Sequence, residues 1–559
     1  MSRGTLTELR NGRLYDPLQG IDGEVRSIYI GTDGRIAAPP RSADEVREVI
    51  DLTGCVVMAG GVDIHTHIGG GKVNLARLML PEEHLSSQVP AGRHPRTGSG
   101  IATPSTLTAG YRYAEMGYTA CFEPAMLAAN ARQAHMELAD TPIVDKGAYC
   151  LLGNDDFLLT RLAAKAAPDE IKDYIAWTLH AAQAMAIKVV NPGGINAFKF
   201  NQRKLDLDER NAAYGITPRE ILLALSRGLH ELGVAHPLHI HGCNLGVPGN
   251  VDTTLATIAA LEGLPAHLTH VQFHSYGTEG DKKFSSGALA IAEAVNRSPN
   301  ISLDVGQIMF GQTVTESGDS MRQHAGAAFA SPRKHVLMDI ECDAGCGVVP
   351  FRYRNRNFVN ALQWAIGLEI FLGVTDPWRV FLTTDHPNGA PFTSYPHLIR
   401  LLMDRSFRND MLATLLPEAA AASHLASLER EYSLYEIAII TRAAPARSLG
   451  LRDLGHLAPG ARADIAVYED HPDRERMFAT ARRVYKNGEL VVREGRVIAA
   501  PNGSTHVTRA DYDPGITRKL DDYFARYMSV RRRNLMVSDA EIEDLGGSPL
   551  AIHPVVRQA

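Results

Sequence analysis

No run of ~18–20 uncharged apolar residues, the length a membrane helix needs, occurs in the sequence, so a helical membrane protein is excluded. Positive charge is not in excess either: 57 Lys and Arg stand against 63 Asp and Glu, a formal net charge of −6. No cationic field is available to hold a phosphate backbone, which removes nucleic acid from the partner classes. Cysteine is scarce, with six copies scattered at Cys55, Cys121, Cys150, Cys243, Cys342 and Cys346. That spacing is no disulfide framework. Cys342 and Cys346 have no second pair to complete a tetrahedral zinc site, and a glycine-rich loop is expected there. The opening Met1-Ser2-Arg3-Gly4-Thr5 leads into strand-like sequence instead of a signal peptide, so a reduced, cytoplasmic protein is expected. Internal repeats, low-complexity tracts and glycine-rich phosphate fingerprints are missing as well. What is there is an average globular composition, 45% apolar and 21% charged over 559 residues, long enough for a large core and more than one domain. Histidine is abundant, with 22 copies, many beside glycine and asparagine.

Residues 1–57 alternate in short runs broken by turn signals such as Arg10-Asn11-Gly12 and Gly31-Thr32-Asp33-Gly34, the texture of half a small β module. Residues 58–445 change to short apolar strands alternating with long helical stretches. Repeated strand-then-helix units imply a parallel sheet, and this many favour a TIM-like (β/α)8 barrel, an α/β fold. Residues 446–500 return to hairpin-rich sequence and are expected to complete the module as a β-sandwich built from both chain ends. Residues 501–559 form a C-terminal extension in which Leu520, Tyr523, Phe524, Tyr527 and Met528 share one helical face. That face either packs on its own barrel or serves as a subunit contact.

Chemistry concentrates at expected strand ends. In Val62-Asp63-Ile64-His65-Thr66-His67, strand alternation puts Asp63, His65 and His67 on one face, with the two imidazoles ~6–7 Å apart at Cα and able to share a metal. Gly69-Gly70-Gly71 leaves room above them. In Leu238-His239-Ile240-His241 both histidines face inward if Leu238 and Ile240 face the outer helices. In Leu268–His274 the same alternation turns His270, Gln272 and His274 inward. Inward histidines on three separate strands are hard to explain as packing, because each buried ring needs its nitrogens satisfied. Asp385 follows a late strand, Val380-Phe381-Leu382, where a buried carboxylate needs a cation or hydrogen bonds; capping a following helix is its other reading. Lys188 lies inside the apolar strand Ala186-Ile187-Lys188-Val189-Val190 with no obvious anion. It must lose its proton or be neutralised, and carbamylation by CO2 would make it a bridging carboxylate. Lys199 is the competitor, expected on a loop after Asn191-Pro192-Gly193-Gly194.

The order His-x-His, Lys, His, His, Asp along successive strands resembles the amidohydrolase superfamily. Val190-Asn191-Pro192-Gly193-Gly194, the stretch from His241 through Asn244 to Asn250, His270 through Tyr276, and Thr384-Asp385-His386-Pro387-Asn388-Gly389 are similar to the family of formylmethanofuran dehydrogenase A subunits. That family includes the A subunits of formyltransferase/hydrolase complexes of methylotrophs. The resemblance implies two divalent metal ions, zinc being suited to mixed histidine and carboxylate donors. Carried over position by position, His65 and His67 bind one ion, His241 and His270 the other, and carboxylated Lys188 bridges them. Asp385 contacts the first ion and the reacting water. His274 is implied to stabilise the oxyanion, and Asn244 and Tyr276 to bind the cofactor. The implied reaction is hydrolysis of the N-formyl amide of a formylated methanofuran-type cofactor to formate and free amine. The implied partners are the other subunits of the complex, a formyltransferase among them. The alternatives are other N-acyl deacylases, cyclic-amide hydrolases and a catalytically silent scaffold subunit.

Overall fold

The computed structural model describes residues 4–91, 94–200, 202, 205–317, 336–339, 344–544 and 547–555. Eight short strands carry the central domain: β1 (Gly61–Asp63), β2 (Tyr118–Met126), β3 (Asp145–Leu151), β4 (Ala186–Val190), β5 (Leu238–His241), β6 (Ala266–Leu268), β7 (Ile301–Asp304) and β8 (Val380–Phe381). Each pairs in parallel with its sequence neighbour. Past the ends of β1 and β8 a parallel bridge joins Thr66 to His386, and the His67 N–H donates to the His386 carbonyl at 2.8 Å. The sheet therefore curls into the (β/α)8 barrel expected from the alternating strand and helix signals.

The helices that cover it follow from local signals. Pro218–Leu232 starts at Thr217, whose hydroxyl accepts from the Glu220 N–H while Glu220 reaches back to the Thr217 N–H, and it stops at Gly233 with φ +77°. Such a cap contributes about 1 kcal/mol. Its apolar face, Ile221, Leu222, Leu225, Leu229 and Leu232, is buried.

Both chain ends build one further sheet of nine strands. Its junction is Cys55–Ala59, which runs parallel to Leu6–Asp16 on one side and antiparallel to Ile465–Glu469 on the other. Leu9, Leu14, Ile28, Val57, Ile465 and Val467 fill its own small core. The expected turn at Arg10-Asn11-Gly12 is a bulge inside a continuous strand, with Asn11 at φ +66°. Cys342 lies outside the described residues, and Cys346 sits in the strand Ala344–Tyr353, not in a glycine-rich loop.

The C-terminal segment extends the barrel sheet. Thr505–Ala510 pairs in parallel with β3, and Leu550–Val555 pairs with Thr505–Ala510 in turn. Between them the helix Gly515–Tyr527 buries Ile516, Leu520 and Phe524, and Tyr523 meets Phe157 edge-on at 5.3 Å. Tyr527, on the same face, is 62% exposed. Barrel, sheet and extension meet at Asp145, where one carboxylate oxygen lies 2.9 Å from Lys486, 3.1 Å from Arg462 and 3.2 Å from His506. Burial opposes the charge on Asp145, but Lys486, the hydrogen bond to His506 and Arg462 win and hold the carboxyl far below its ordinary range.

Candidate metal centre

β1 ends at Asp63, so the chain beyond it does not keep the alternation of a strand. Asp63 does not share a face with His65 and His67 as expected. One of its oxygens accepts from the hydroxyls of Tyr113 at 2.7 Å and Tyr395 at 2.5 Å. The other accepts from the His65 N–H at 3.0 Å. That local hydrogen bond turns the backbone and leaves the carboxyl among buried tyrosines, where burial outweighs the donors and raises it to about 6.

The two histidines do converge. His65 Nε2 lies 2.9 Å and His67 Nε2 3.3 Å from Asp385 Oδ1, all three buried. His67 is aimed by Glu123, whose Oε1 is 2.8 Å from His67 Nδ1 while Oε2 accepts from the Ile68 and Gly69 N–H groups at 2.7 and 3.1 Å. Burial disfavours a charged His67, but Glu123 and Asp385 prevail and push it up to about 10. Burial raises Glu123, and the pairing with His67 more than reverses this.

Asp385 reaches the site from a left-handed backbone, φ +50°, four residues past β8. Asn191, Asn244 and His270 adopt the same region after β4, β5 and β6, at φ +44°, +65° and +37°. Each such turn costs of order 1 kcal/mol and redirects a side chain across the barrel mouth. Gly306, at φ +66°, fills the gap behind: a Cβ there would sit 2.4 Å from the Cβ of His270. Burial also disfavours a charged Asp385, but His270 and His65 outweigh it and hold the carboxyl well below the usual range.

The expected strand through residues 268–274 is absent; β6 stops at Leu268 and Val271–His274 is a helical turn. His270, in the left-handed region just before this turn, and His274 at its end still come together. Their ring centroids are 5.5 Å apart, and His241 lies 4.6 Å from His270 and 5.3 Å from His274. Burial, then the crowding of the His270 and His274 imidazoles and the Lys188 ammonium, holds His241 well below the usual histidine range. Burial lowers His274 to about 4. Lys188 is buried in β4 opposite His239 of β5, and its charge bears on His241 and His270. Lys199 ends the helix Gly194–Lys199 instead of lying on a loop. Asn244 donates to Asp206 at 2.7 Å and to Thr253 at 3.0 Å, and Tyr276 is fully buried with its hydroxyl accepting from Gln363 at 2.9 Å.

Sequence reasoning missed Glu123 and Asp304. Both are single carboxylates inside apolar strands, in Phe122-Glu123-Pro124 and Leu303-Asp304-Val305, the same signal that singled out Lys188. The donor set fits a divalent cation. His65, His67 and Asp385 offer three ligand atoms within 4.8 Å of one another. His270 Nδ1 is buried with no hydrogen-bond partner among the described residues, a deficit that a metal bond would remove.

The profile of the amidohydrolase family matches residues 48–499. The Fhc A subunit of the formyltransferase/hydrolase complex of Methylorubrum extorquens is 43% identical over 548 residues, which is 97% of this chain and 98% of that protein. Protein FwdA of Methanocaldococcus jannaschii is 41% identical over 557 residues, 95% of this chain and 96% of its own. A chain in the crystal structure of FhcABCD from Methylorubrum extorquens in complex with methylofuran superposes with a TM-score of 0.91 at 42% identity, covering 99% of this chain and 100% of that one.

Proposed function

Because this chain belongs to the amidohydrolase family of metal-dependent hydrolases, we propose that it hydrolyses the N-formyl amide of a formylated methanofuran-type cofactor such as methylofuran. It would release formate and the free amine as the A subunit of a formyltransferase/hydrolase complex, with a formyltransferase subunit supplying the loaded cofactor. The observation that carries this reading is the convergence of His65, His67 and Asp385 beside His241, His270 and buried Lys188. Identity of 43% along 97% of the chain with the Fhc A subunit points to the substrate class. A cytoplasmic setting is part of the proposal. Cys55, Cys121, Cys150 and Cys243 are buried free thiols, and among the described residues no helix is long and apolar enough to cross a membrane.

His65 and His67 would hold one ion, His241 and His270 the other, with Lys188 as its carboxylate bridging the two and Asp385 beside the first. Two divalent cations there, zinc by donor type, would supply Lewis acidity and a water acidic enough to attack at neutral pH. Asp385 takes the proton of the attacking water at its carboxylate and passes it to the departing nitrogen, since an amine leaves poorly unless protonated. The low pKa of His274 keeps its ring neutral, with one N–H to offer the formyl oxygen as charge builds on it. A formyl carbon carries only hydrogen, so the pocket recognises the cofactor body. Asn244, through Asp206, and Tyr276, through Gln363, would shape that side.

The test is metal analysis of the pure protein together with hydrolysis of N-formylated furfurylamine cofactors, hydantoins and dihydropyrimidines. Two metals per chain and turnover of the formyl amide alone are expected, with both lost in His67→Ala and Lys188→Ala. Turnover of cyclic amides instead would favour another amidohydrolase reaction. Unchanged hydrolysis in both variants would defeat the mechanism.

A further inference from the structure

A cluster of histidines lies in the barrel interior beside the candidate metal centre, packed against Tyr149 and Phe381. His65, His239, His236 and His267 stand there with Asp304, each at most 1% exposed. His65 Nδ1 lies 2.9 Å from His239 Nε2. His239 Nδ1 is 3.0 Å from His236 Nε2, and His236 Nδ1 is 3.0 Å from the hydroxyl of Ser448. All three rings thus use their lower nitrogen toward the next group in the column.

A neutral imidazole has one donor and one acceptor nitrogen. If His65 Nε2 offers its lone pair beside Asp385, His65 Nδ1 must carry the proton and donate it. His239 Nε2 then accepts, His239 Nδ1 donates to His236 Nε2, and His236 Nδ1 donates to Ser448 Oγ. Where the His65 Nδ1 proton goes to His239, this one ligand requirement sets the tautomer of every ring in the column. Two other groups face His65 Nδ1. The Thr269 hydroxyl is 2.5 Å away, and Asp304 Oδ2 is 3.5 Å away. Asp304 Oδ2 lies nearer to His267 Nε2, at 3.1 Å, than to His65, and Oδ1 takes the Thr383 hydroxyl at 2.7 Å and the His270 N–H at 3.0 Å.

We propose that His239 is the positioning residue for His65: by accepting from Nδ1 it holds the tautomer and ring angle that turn Nε2 toward the metal, with His236 and Ser448 fixing the direction of the column. The inference rests on the reading above that His65 is a ligand. It makes the two histidines of the His-x-His pair unlike each other. His67 is backed directly by a carboxylate, Glu123, and His65 by the His239 imidazole with the Asp304 carboxylate farther off at 3.5 Å, so the two differ in basicity and in how tightly they are held.

The experiment uses the full-length protein, stripped of metal and titrated with Zn2+ against a chelator, with thermal melting of the metal-free form alongside. Three chains are compared: wild type, His239→Leu, which removes the acceptor, and His239→Gln, whose amide oxygen can accept. The Leu variant is expected to lose ~10–100-fold in affinity for one ion, and the Gln variant to recover most of it although both melt alike without metal. His236→Leu carries the test if the His239 variants do not fold. It leaves His239 without its directing neighbour, and a several-fold weaker Zn2+ affinity is expected. Wild-type affinity in His239→Leu or in His236→Leu, or equal weakening in the Leu and Gln variants of His239, overturns the inference. A wild type that takes up no Zn2+ overturns the metal reading itself.

Discussion

Glu123 Oε1 lies 2.8 Å from His67 Nδ1, and the partner oxygen is clamped by two consecutive backbone N–H groups, those of Ile68 and Gly69. The carboxylate is therefore held by the same turn that carries the histidine it orients. Glu123→Gln removes the charge and can present an N–H to the ring, which would favour the wrong tautomer. Metal affinity is expected to fall ~10–100-fold with the fold retained. Zn2+ titration against a chelator, with circular dichroism as the control, checks it.

In the proposed mechanism Asp385 moves the proton, so Asp385→Asn should act on turnover more than on substrate affinity. A drop in kcat of ~10²–10⁴-fold is expected, with KM changed far less. Steady-state kinetics on the formylated cofactor decide the point. An asparagine variant that loses KM and keeps kcat would place Asp385 in binding.

Gly306 packs against the backbone and Cβ of His270, and its φ of +66° is one that side chains rarely adopt. Gly306→Ala must move His270 or the strand end. A loss of ~1–3 kcal/mol in stability is expected, with weaker metal retention. The melting temperature and the metal content after dialysis are the measurements.

Asp145 supplies the pH dependence. Its folded carboxyl is depressed far below the ~3.9 of an unfolded aspartate, so its contribution is complete above that value and lost as acid protonates the folded carboxyl. Asp145→Asn should lower the melting temperature at pH 7, by the equivalent of ~3 kcal/mol for a broken buried ion pair, and flatten the decline between pH 5 and 3. Parallel decline of wild type and variant across that range would refute the assignment. Lys486 retains Asp464 at 2.5 Å in the variant, which keeps the loss at the low end.

Some of this is legible from local pattern. The strand-then-helix rhythm, the split β module and the placement of His65, His67, His241, His270 and Lys188 at or just past strand ends follow from spacings within ten residues. The errors have one cause. Alternation extended past the strand ends puts Asp63 beside His65 and makes a strand of residues 268–274. At both places a short-range hydrogen bond or a helical turn takes over the backbone. Even so, His270 and His274 meet, brought together by the left-handed residue His270 and the tight turn that follows it.

The sequence by itself determined which residues offer donor groups of metal-ligand type and which segments form the frame, since both depend on residue type and on periodicity over a few positions. Tertiary structure alone decided how those residues are tuned. His67 meets Glu123 from 56 residues away, and His65 meets His239 from 174 away. Closing the sheet into a ring brings such groups into one low-dielectric interior, where proton positions and charges are set by neighbours in space that no local pattern encodes.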